Sequence, residues 1–503
     1  MEQTHPPLST QPGTPGGGRV PYSLSMRTMR RGADPITLPG TQGYFPWLSL
    51  IGVVLGTLVA YISVPMNPSI PGALRFSGLA LALGMSVGPV FAAMLNLRNL
   101  LRAENILGLA PAYWMLLDLI TGAIAMEGLS QVLVQKTFGV IGLATAMFWL
   151  GTMGRGWRLP KAFLEVTSFR PDLKLLIPIG IGCFFLGILR FAIPCGFDIG
   201  VMMENLMESR WSAAWARGAI GGWDAIIDHL AYFGYLLPTL AVMTSRRAGW
   251  LSLSGLLLSC LSIIFLIFLA QSGSRRIVGV CLGAALCCWI LDRDRVRWQQ
   301  LLVAGTVVGA ILLLLQIMIV FRSVGLGRIG LDNASKIAVA TIKGVDLETG
   351  APKSLHVDDN FYRLSQSIYL VPERHPYVEW KYVFYVLVRP IPRALWKGKP
   401  MDGGFDLQRF DGKGASLSST ILGEFWISYG AWAVAIGGWL MGRASRMAAP
   451  LFDIAHGSIA PMFYGYISMT LFVGYRSLIE VMLFSYALVG WWAVTWVLRQ
   501  MQR

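Results

Sequence analysis

Residues 385–400 read YVLVRPIPRALWKGKP and form the core of a long polar stretch, residues 321–419, that separates two groups of apolar runs. Loops longer than about 15 residues without obvious structure are usually functional or disordered. This stretch is rich in Trp, Tyr and Phe, which does not fit a disordered segment. We therefore expect residues 321–419 to form a folded lobe outside the membrane that carries specificity and part of the chemistry.

The composition of the whole chain is that of a polytopic membrane protein. Of its 503 residues, 54% are hydrophobic and only 14% are charged. Apolar stretches of about 20 residues predict transmembrane helices. We place spans at residues 45–64, 78–97, 106–125, 136–154, 175–193, 226–245, 249–270, 277–291, 301–320, 421–441, 458–475 and 479–498. The predicted fold is all-α with about twelve transmembrane helices, and the large outward-facing loop lies between the ninth and the tenth.

Four regions follow from this division of the chain. Residues 1–42 form a flexible cytoplasmic tail, which is too long and too polar to be an ordinary cleaved signal peptide. Residues 43–320 form a transmembrane bundle with an outer loop at 195–225. Residues 321–419 form the lobe, and residues 420–503 form the C-terminal transmembrane helices.

The Lys and Arg residues of the short loops predict the orientation. The formal net charge is +15, and such an excess is typical of cytoplasmic loops in a membrane protein. Loops that contain Arg98, Arg155, Arg246 and Arg443 all fall on the side of the basic tail, so we predict cytoplasmic N- and C-termini. Because the basic residues form no soluble basic domain, nucleic acid is excluded as an expected partner. The six cysteines have no metal-ligand or redox spacing and are expected to be core residues.

Several arginines on the outer side are not explained by the orientation rule. Arg275 and Arg276 lie in a short turn, Arg389 and Arg393 lie in the core of the lobe, and Arg476 lies in the last outer turn. Arginine binds phosphate oxygens through two parallel hydrogen bonds and stays charged. We therefore predict a cationic pocket that suits a diphosphate or another anion.

A second interpretation stays open, in which the outer arginines pair with Glu424, Glu480, Asp228 and lipid phosphates for structural reasons alone. Ionisable groups in membrane spans are costly and are functional candidates by default. Glu424, Asp228 and His229 are accordingly our candidates for a base that takes a proton from an attacking hydroxyl. We interpret Asp118 as a hydrogen-bonding group that pairs helices.

The lobe contains further polar and aromatic candidates. Asp358 and Asp359 match no metal-ligand spacing, and we interpret them as solvated loop residues; no metal site is predicted. His375 is a second candidate for the base. Trp380 and Trp396 suit sugar stacking, and they equally suit a small core or an interfacial belt. The chain has no P-loop motif, so the energy for a reaction must come from the substrate or from an ion gradient.

The motif RPIPRALWKGKP at residues 389–400, followed by Ser418-Ser419 and by Gly423-Glu424 at the start of a span with Tyr429-Gly430, resembles the oligosaccharide repeat-unit polymerases. These are the Wzy-type O-antigen and exopolysaccharide polymerases, and the resemblance covers the last third of the chain. It implies a metal-independent membrane glycosyltransferase with a GT-C-like fold in the bacterial cytoplasmic membrane. In this family a hydroxyl of one repeat unit attacks the anomeric carbon of another chain, and polyprenyl (undecaprenyl) diphosphate leaves.

The resemblance assigns roles to the candidate residues. The expected diphosphate ligands are Arg275, Arg276, Arg389, Arg393 and Arg476. The expected base is Glu424 or the pair Asp228 and His229, and the expected glycan-binding residues are Trp380 and Trp396. No cofactor is expected. The expected partners are the polyprenyl-diphosphate-linked oligosaccharide, membrane lipids, a flippase and a chain-length regulator. The alternatives are an O-antigen ligase, a transporter of polysaccharide or lipid-linked sugar, and a non-enzymatic assembly subunit.

Overall fold

The computed structural model describes residues 43–123, 126, 128–154, 157–216, 224–272, 275–291, 298–325, 327, 330, 333, 335–337, 339–340, 358–411, 418–452 and 458–501. These residues form helices and their connections, and the described part of the chain contains no β-strand. The tail predicted at residues 1–42 lies outside the described residues, as do residues 217–223 of the predicted outer loop and residues 341–357 and 412–417 of the predicted lobe.

The described helices follow one another along the chain. They are α1 Pro46–Ile62, α2 Arg75–Leu95, α3 Ala103–Pro111, α4 Leu117–Thr121, α5 Gln131–Met153, α6 Lys161–Thr167, α7 Leu173–Ala192, α8 Ile199–Met207, α9 Asp224–Tyr235, α10 Leu237–Ala248, α11 Leu253–Gln271, α12 Arg275–Leu291, α13 Trp298–Val324, α14 Asn360–Leu370, α15 Lys381–Val388, α16 Gln408–Asp411, α17 Thr420–Phe452, α18 Ala460–Gly474 and α19 Leu478–Met501. A π-helical turn, Ala112–Leu116, joins α3 to α4.

In the part of the chain that the structure describes, five helices are long and apolar enough to cross a membrane. They are Arg75–Leu95, Gln131–Met153, Leu173–Cys195, Leu253–Gln271 and Leu478–Met501. Their length and composition are those of a helical membrane protein, so the all-α membrane class predicted from the sequence is confirmed. Large apolar side chains such as Ile51, Leu55 and Ile62 are more than half exposed along α1, as expected of a face that meets lipid.

Glycines allow the central helices to pack closely. A Cβ atom on Gly52 of α1 would collide with the carbonyl oxygen of Gly84 of α2, and one on Gly438 of α17 would collide with the carbonyl oxygen of Ala144 of α5. Small residues at helix contacts are typical of membrane proteins, in which close backbone approach replaces a hydrophobic driving force between helices.

The described part of the predicted lobe packs onto the helical bundle. Phe361, Leu364 and Ile368 of α14 recur at helical spacing and are buried. The Ser365 and Thr137 hydroxyls share a hydrogen bond of 2.9 Å that joins α14 to α5. Residues 42–503 accordingly form one compact unit, and α14 belongs to the core of that unit.

Two helices are interrupted close to the candidate residues. The π-helical turn directly precedes α4, which carries Asp118. Helix α17 is broken at Tyr429 and Gly430, whose backbone torsions are not helical. Irregular backbone within a membrane bundle needs other hydrogen-bond partners and is a common feature of substrate sites.

Candidate functional site

A chain of charged contacts connects the N-termini of α12 and α19 with α4. The Arg276 Nη1 atom lies 2.5 Å from the Glu480 Oε1 atom. The Arg476 Nε atom lies 2.6 Å from the Asp358 Oδ2 atom. The backbone N–H of Asp358 in turn donates a 3.0 Å hydrogen bond to Asp118 Oδ2. We call these five residues the paired network, since each of its two arginines contacts a carboxylate.

The π-helical turn explains why the segment before α14 reaches Asp118. Such a turn leaves a backbone carbonyl without its helical partner. The Asn360 Nδ2 group donates a 2.9 Å hydrogen bond to the carbonyl oxygen of Trp114, in the middle of this turn. Asp358, two residues earlier, is therefore held beside Asp118. Asp118 therefore acts as a hydrogen-bonding group whose partner is the segment just before α14. Asp358 is not the solvated loop residue that we expected, since it pairs with Arg476.

The candidate pair Asp228 and His229 lies beside the paired network. Asp228 forms an ion pair with Arg190, with 2.9 Å between Asp228 Oδ1 and Arg190 Nε, and its side chain is 45% exposed. The His229 ring packs edge-on against Tyr232, at 5.2 Å between ring centres. Tyr232 is within electrostatic range of both Asp228 and Glu480. Asp228 and His229 therefore offer an accessible acid–base pair close to the arginines.

Arg275 begins α12 and completes the group of outer arginines that the sequence predicts. It lies within electrostatic range of Asp358 and Arg476, so the structure brings Arg275, Arg276 and Arg476 together. Two of the ion pairs expected from the alternative interpretation are present, Arg276 with Glu480 and Arg190 with Asp228. Glu424 instead accepts hydrogen bonds from uncharged donors.

Glu424 is held by three elements at once. Its side chain is 3% exposed. The Ser477 hydroxyl donates a 2.6 Å hydrogen bond to Oε1, and the Leu478 N–H donates a 2.6 Å hydrogen bond to Oε2. The Tyr382 hydroxyl is a third donor. Because Leu478 begins α19, Glu424 caps this helix from the neighbouring α17, where a negative charge is favourable. Both carboxylate oxygens are engaged, and Glu424 is enclosed.

Residues 389–400 form a second basic region, which we call the cationic turn. The Lys399 ammonium donates hydrogen bonds of 3.0 Å and 2.5 Å to the carbonyl oxygens of Arg389 and Ile391. The Arg393 guanidinium donates to the carbonyl oxygens of Lys399 and Pro400, at 3.4 and 3.3 Å. Burial, and the nearby charges of Arg389 and Arg393, lower the pKa of Lys399. No carboxylate of the described residues pairs with these three cations.

Three aromatic rings lie close together at the cationic turn, and Trp396 is part of the turn itself. The ring centres of Trp380 and Phe384 are 5.6 Å apart, and those of Phe384 and Trp396 are 6.3 Å apart. The Trp380 side chain is 58% exposed and that of Trp396 is 37% exposed. We call these three residues the aromatic platform. The structure thus brings together the two tryptophans predicted to bind glycan, and Phe384 lies between them.

The break in α17 anchors the segment that carries the aromatic platform. The N–H groups of Val378 and Glu379 donate to the carbonyl oxygens of Ile427 and Ser428, at 2.9 and 3.2 Å. These carbonyls are available because the helix is interrupted at the next residues. Gly430 has a φ of 64°, a conformation that favours glycine, and the sequence Tyr429-Gly430 therefore has a structural role.

The paired network and the cationic turn lie on different sides of α19. Phe484 stacks on Tyr232 of α9, with 6.4 Å between ring centres. The Tyr486 hydroxyl lies 3.5 Å from the carbonyl oxygen of Leu387 in α15. Two residues turn a helix by about 200°, so α9 and α15 contact opposite faces. The five predicted diphosphate ligands therefore divide into two groups: Arg275, Arg276 and Arg476 on one side, and Arg389 and Arg393 on the other.

Several contributors were not assigned to the site from the sequence. Ser477 was missed, and Asp358 and Tyr382 were assigned other roles, because each acts through a partner that is distant in the chain. The apolar spacing of residues 361, 364 and 368 predicts the helix α14, and this pattern could have placed Asp358 at the start of a packed helix. His375 lies apart from both groups, with its ring 5.3 Å from the ring of Phe405.

Among the described residues, no group of three or more His, Cys, Asp or Glu side chains is arranged to hold a metal ion. No protein-family model, no curated protein and no solved structure matches the chain.

Proposed function

We propose that this protein is a membrane glycosyltransferase that polymerises polyprenyl-diphosphate-linked oligosaccharide repeat units on the outer face of the bacterial cytoplasmic membrane. The observation that carries the proposal is the division of the outer arginines into two groups on opposite faces of α19. A polymerase joins two chains, each of which is attached to a lipid diphosphate. Two separate cationic regions suit two such anionic substrates.

We assign the donor diphosphate to the side of the paired network. Arg275, Arg276 and Arg476 would stabilise the charge that develops on the leaving diphosphate, since preorganised donors are most effective where charge appears in the transition state. The acceptor hydroxyl oxygen forms the new bond to the anomeric carbon while the bond from that carbon to the diphosphate oxygen breaks. The bonding electron pair leaves with the polyprenyl diphosphate.

We assign the proton of the acceptor hydroxyl to Asp228, with His229 as its neighbour. Asp228 is the more accessible carboxylate, since it is 45% exposed, whereas Glu424 is 3% exposed and has both oxygens engaged. A general base must reach the proton that it removes. We therefore give Glu424 a positioning role: it fixes Ser477, and with it the turn that carries Arg476.

We assign the second lipid-linked chain to the cationic turn and the aromatic platform. Arg389 and Arg393 suit its diphosphate because no carboxylate among the described residues neutralises them. Trp380 and Trp396 suit its sugar rings. Leu395 is 70% exposed beside them, and an exposed apolar residue here suits a lipid-bound substrate that arrives from the bilayer.

The proposal extends to the architecture. The full complement of about twelve spans, a GT-C-like arrangement of the helices, cytoplasmic termini and cooperation with a flippase and a chain-length regulator all belong to it. Support comes from the all-helical fold with its five candidate membrane spans and from the resemblance of the last third of the sequence to the repeat-unit polymerases.

The direct test uses purified protein in nanodiscs with a polyprenyl-diphosphate-linked oligosaccharide, with and without a chelator. We expect a ladder of products in both samples. A single shifted band that requires a separate acceptor would replace the polymerase by a ligase. No transfer from a panel of donor glycans, together with flux of lipid-linked sugar in liposomes, would replace it by a transporter.

Variants test the assigned roles. Arg276→Gln should lower the rate of transfer about 10²–10³-fold if Arg276 stabilises the leaving group. Arg409→Gln is the matched control, because Arg409 is 74% exposed and lies 3.7 Å from its partner Asp402. Normal transfer by a well-folded Arg276→Gln variant would contradict the assignment of the donor site.

A further inference from the structure

Helix α15 has one face that the described part of the chain leaves uncovered. The opposite side is anchored in the protein, since Val386 is buried. Val383 and Leu387 lie one helical turn apart and are both exposed. Exposed aliphatic side chains continue at the same interval of four residues beyond the end of the helix, at Ile391 and Leu395. We call these four exposed residues, Val383, Leu387, Ile391 and Leu395, the aliphatic stripe.

The contact between α15 and α19 indicates how deep α15 lies. Helix α19 is a candidate membrane span, and its uncharged part lies between Glu480 and Arg499. Tyr486 belongs to this part, and its hydroxyl lies 3.5 Å from the carbonyl oxygen of Leu387. At a rise of about 1.5 Å per residue, Tyr486 is about 12 Å from the start of α19 at Leu478. The end of α15 therefore lies beside the membrane-crossing part of α19.

The chain just before α15 lies at a similar depth. The N–H of Val378 donates a 2.9 Å hydrogen bond to the carbonyl oxygen of Ile427 in α17. The N–H of Ile421 donates to the carbonyl oxygen of Tyr475 at 3.1 Å, so α17 and α19 begin at the same level. Ile427 is six residues beyond Ile421, which corresponds to about 9 Å along the helix. Because both ends of α15 are at similar depths, the helix runs roughly parallel to the membrane plane.

The residues around the aliphatic stripe are typical of a membrane interface. Trp380 and Trp396 are exposed, and tryptophan is enriched where hydrocarbon meets the head groups. Lys381 and Lys397 are also exposed, and a lysine can reach the head groups while its stem covers apolar surface. Interfacial amphipathic helices place their apolar face about 5–10 Å into the boundary between head groups and acyl chains. This depth agrees with the contacts of α15.

The cationic turn satisfies its own backbone, as a position close to hydrocarbon requires. Away from water, backbone N–H and carbonyl groups must find partners within the protein. The Lys399 and Arg393 side chains donate to four carbonyl oxygens of the turn. Pro390, Pro392 and Pro400 have no N–H group that would need an acceptor. The turn therefore suits the membrane interface better than a lobe that is surrounded by water.

We propose that α15 lies in the plane of the membrane, on the side where α17 and α19 begin, with the aliphatic stripe among the acyl chains of the bilayer. Residues 381–396 then belong to the membrane domain and not to the lobe outside the membrane that the sequence predicts. The partner of the exposed face is the bilayer itself, so this placement does not depend on the proposed glycosyltransferase activity.

The test measures the accessibility of a nitroxide spin label on the full chain in nanodiscs. The label is attached at Leu387→Cys in a Cys260→Ser background, because Cys260 is exposed and the other five cysteines are buried. Collisions with oxygen, which dissolves in lipid, are compared with collisions with a water-soluble nickel chelate. We expect the ratio of oxygen to nickel collisions to be as high as at Val489→Cys, a position on α19 that is 64% exposed. Arg409→Cys is the matched control in the predicted lobe, and its label should collide mainly with nickel because Arg409 is 74% exposed.

A label at position 387 that collides mainly with the nickel chelate would overturn the proposal, because the aliphatic stripe would then face water. Few collisions with either reagent would overturn it too, because a second copy of the chain or another protein would then cover this face. If Leu387→Cys folds poorly, Val383→Cys reports on the same face one turn earlier, and its label should show the same preference for oxygen.

Discussion

The paired network and the cationic turn use the same residue type in opposite electrostatic surroundings. Arg276 and Arg476 each contact a carboxylate within 2.6 Å. Arg389 and Arg393 contact backbone carbonyls and an aromatic ring, and no described carboxylate pairs with them. The contrast teaches that an arginine outside the orientation pattern is not by itself an anion site. The neighbouring carboxylates decide how much of its charge remains for a ligand.

The largest effect on stability is expected at Glu424, which contacts Tyr382 of α15 and Ser477 and Leu478 at the start of α19. Glu424→Ala removes the acceptor of the Ser477, Leu478 and Tyr382 donors, and buried donors without a partner cost about 1–3 kcal/mol each. We expect a loss of about 3 kcal/mol or more in the free energy of unfolding in detergent. The exposed Glu373→Ala is the control. A Glu424→Ala protein as stable as this control would show that the two regions are not joined through Glu424.

A smaller effect should distinguish paired from unpaired arginines. In a double-mutant cycle of Arg276→Gln and Glu480→Gln, we expect a coupling energy of about 1–2 kcal/mol, because either single change leaves a partly buried charge alone. The same cycle with Arg389→Gln in place of Arg276→Gln should give a coupling energy near zero. Equal coupling energies in the two cycles would show that the arginines of the paired network and of the cationic turn do not differ in their pairing with Glu480.

Arg393→Gln should change binding more than stability. Its guanidinium contributes only long hydrogen bonds, of 3.4 and 3.3 Å, to carbonyl oxygens, so we expect the free energy of unfolding to change by less than about 1 kcal/mol. Its affinity for the lipid-linked substrate, measured by titration in nanodiscs, should fall about tenfold. Unchanged affinity would mean that the charge of the turn serves another purpose.

The smallest effect is a dependence on alkaline pH of the affinity for diphosphate, which we expect at the cationic turn and not at the paired network. Burial and the charges of Arg389 and Arg393 hold the pKa of Lys399 below the usual lysine value of about 10.4. Lys399 therefore loses its proton at lower pH than an exposed lysine does. The affinity of the turn for inorganic diphosphate should fall as the pH rises through this alkaline range.

The free energy of unfolding should rise over the same pH range. The reason is that the folded state favours the neutral amine of Lys399, so the unfolded state binds more protons. Lys399→Arg, whose guanidinium stays charged, should flatten the affinity profile. A profile that is identical in the wild type and in this variant would assign the titration to another group.

The sequence predicted which residue types matter but not how they are divided. Arg275, Arg276 and Arg476 stand out because they are basic residues on the side where few are expected. Their grouping follows from the starts of α12 and α19 and from the contacts that these make with Asp358 and Glu480. Asp358 and Ser477 give no such signal, since a carboxylate or a hydroxyl in a loop becomes part of a site only through its distant partner.

The amino-acid sequence alone determined the helical membrane class, because long apolar runs can satisfy their backbone hydrogen bonds in lipid only as helices. It also determined the preference of Gly430 for its unusual torsion. The tertiary structure decided which arginines are neutralised, that Glu424 is enclosed, and that α14 packs into the bundle. These outcomes depend on contacts between residues that are far apart in the chain, and composition and spacing do not specify such contacts.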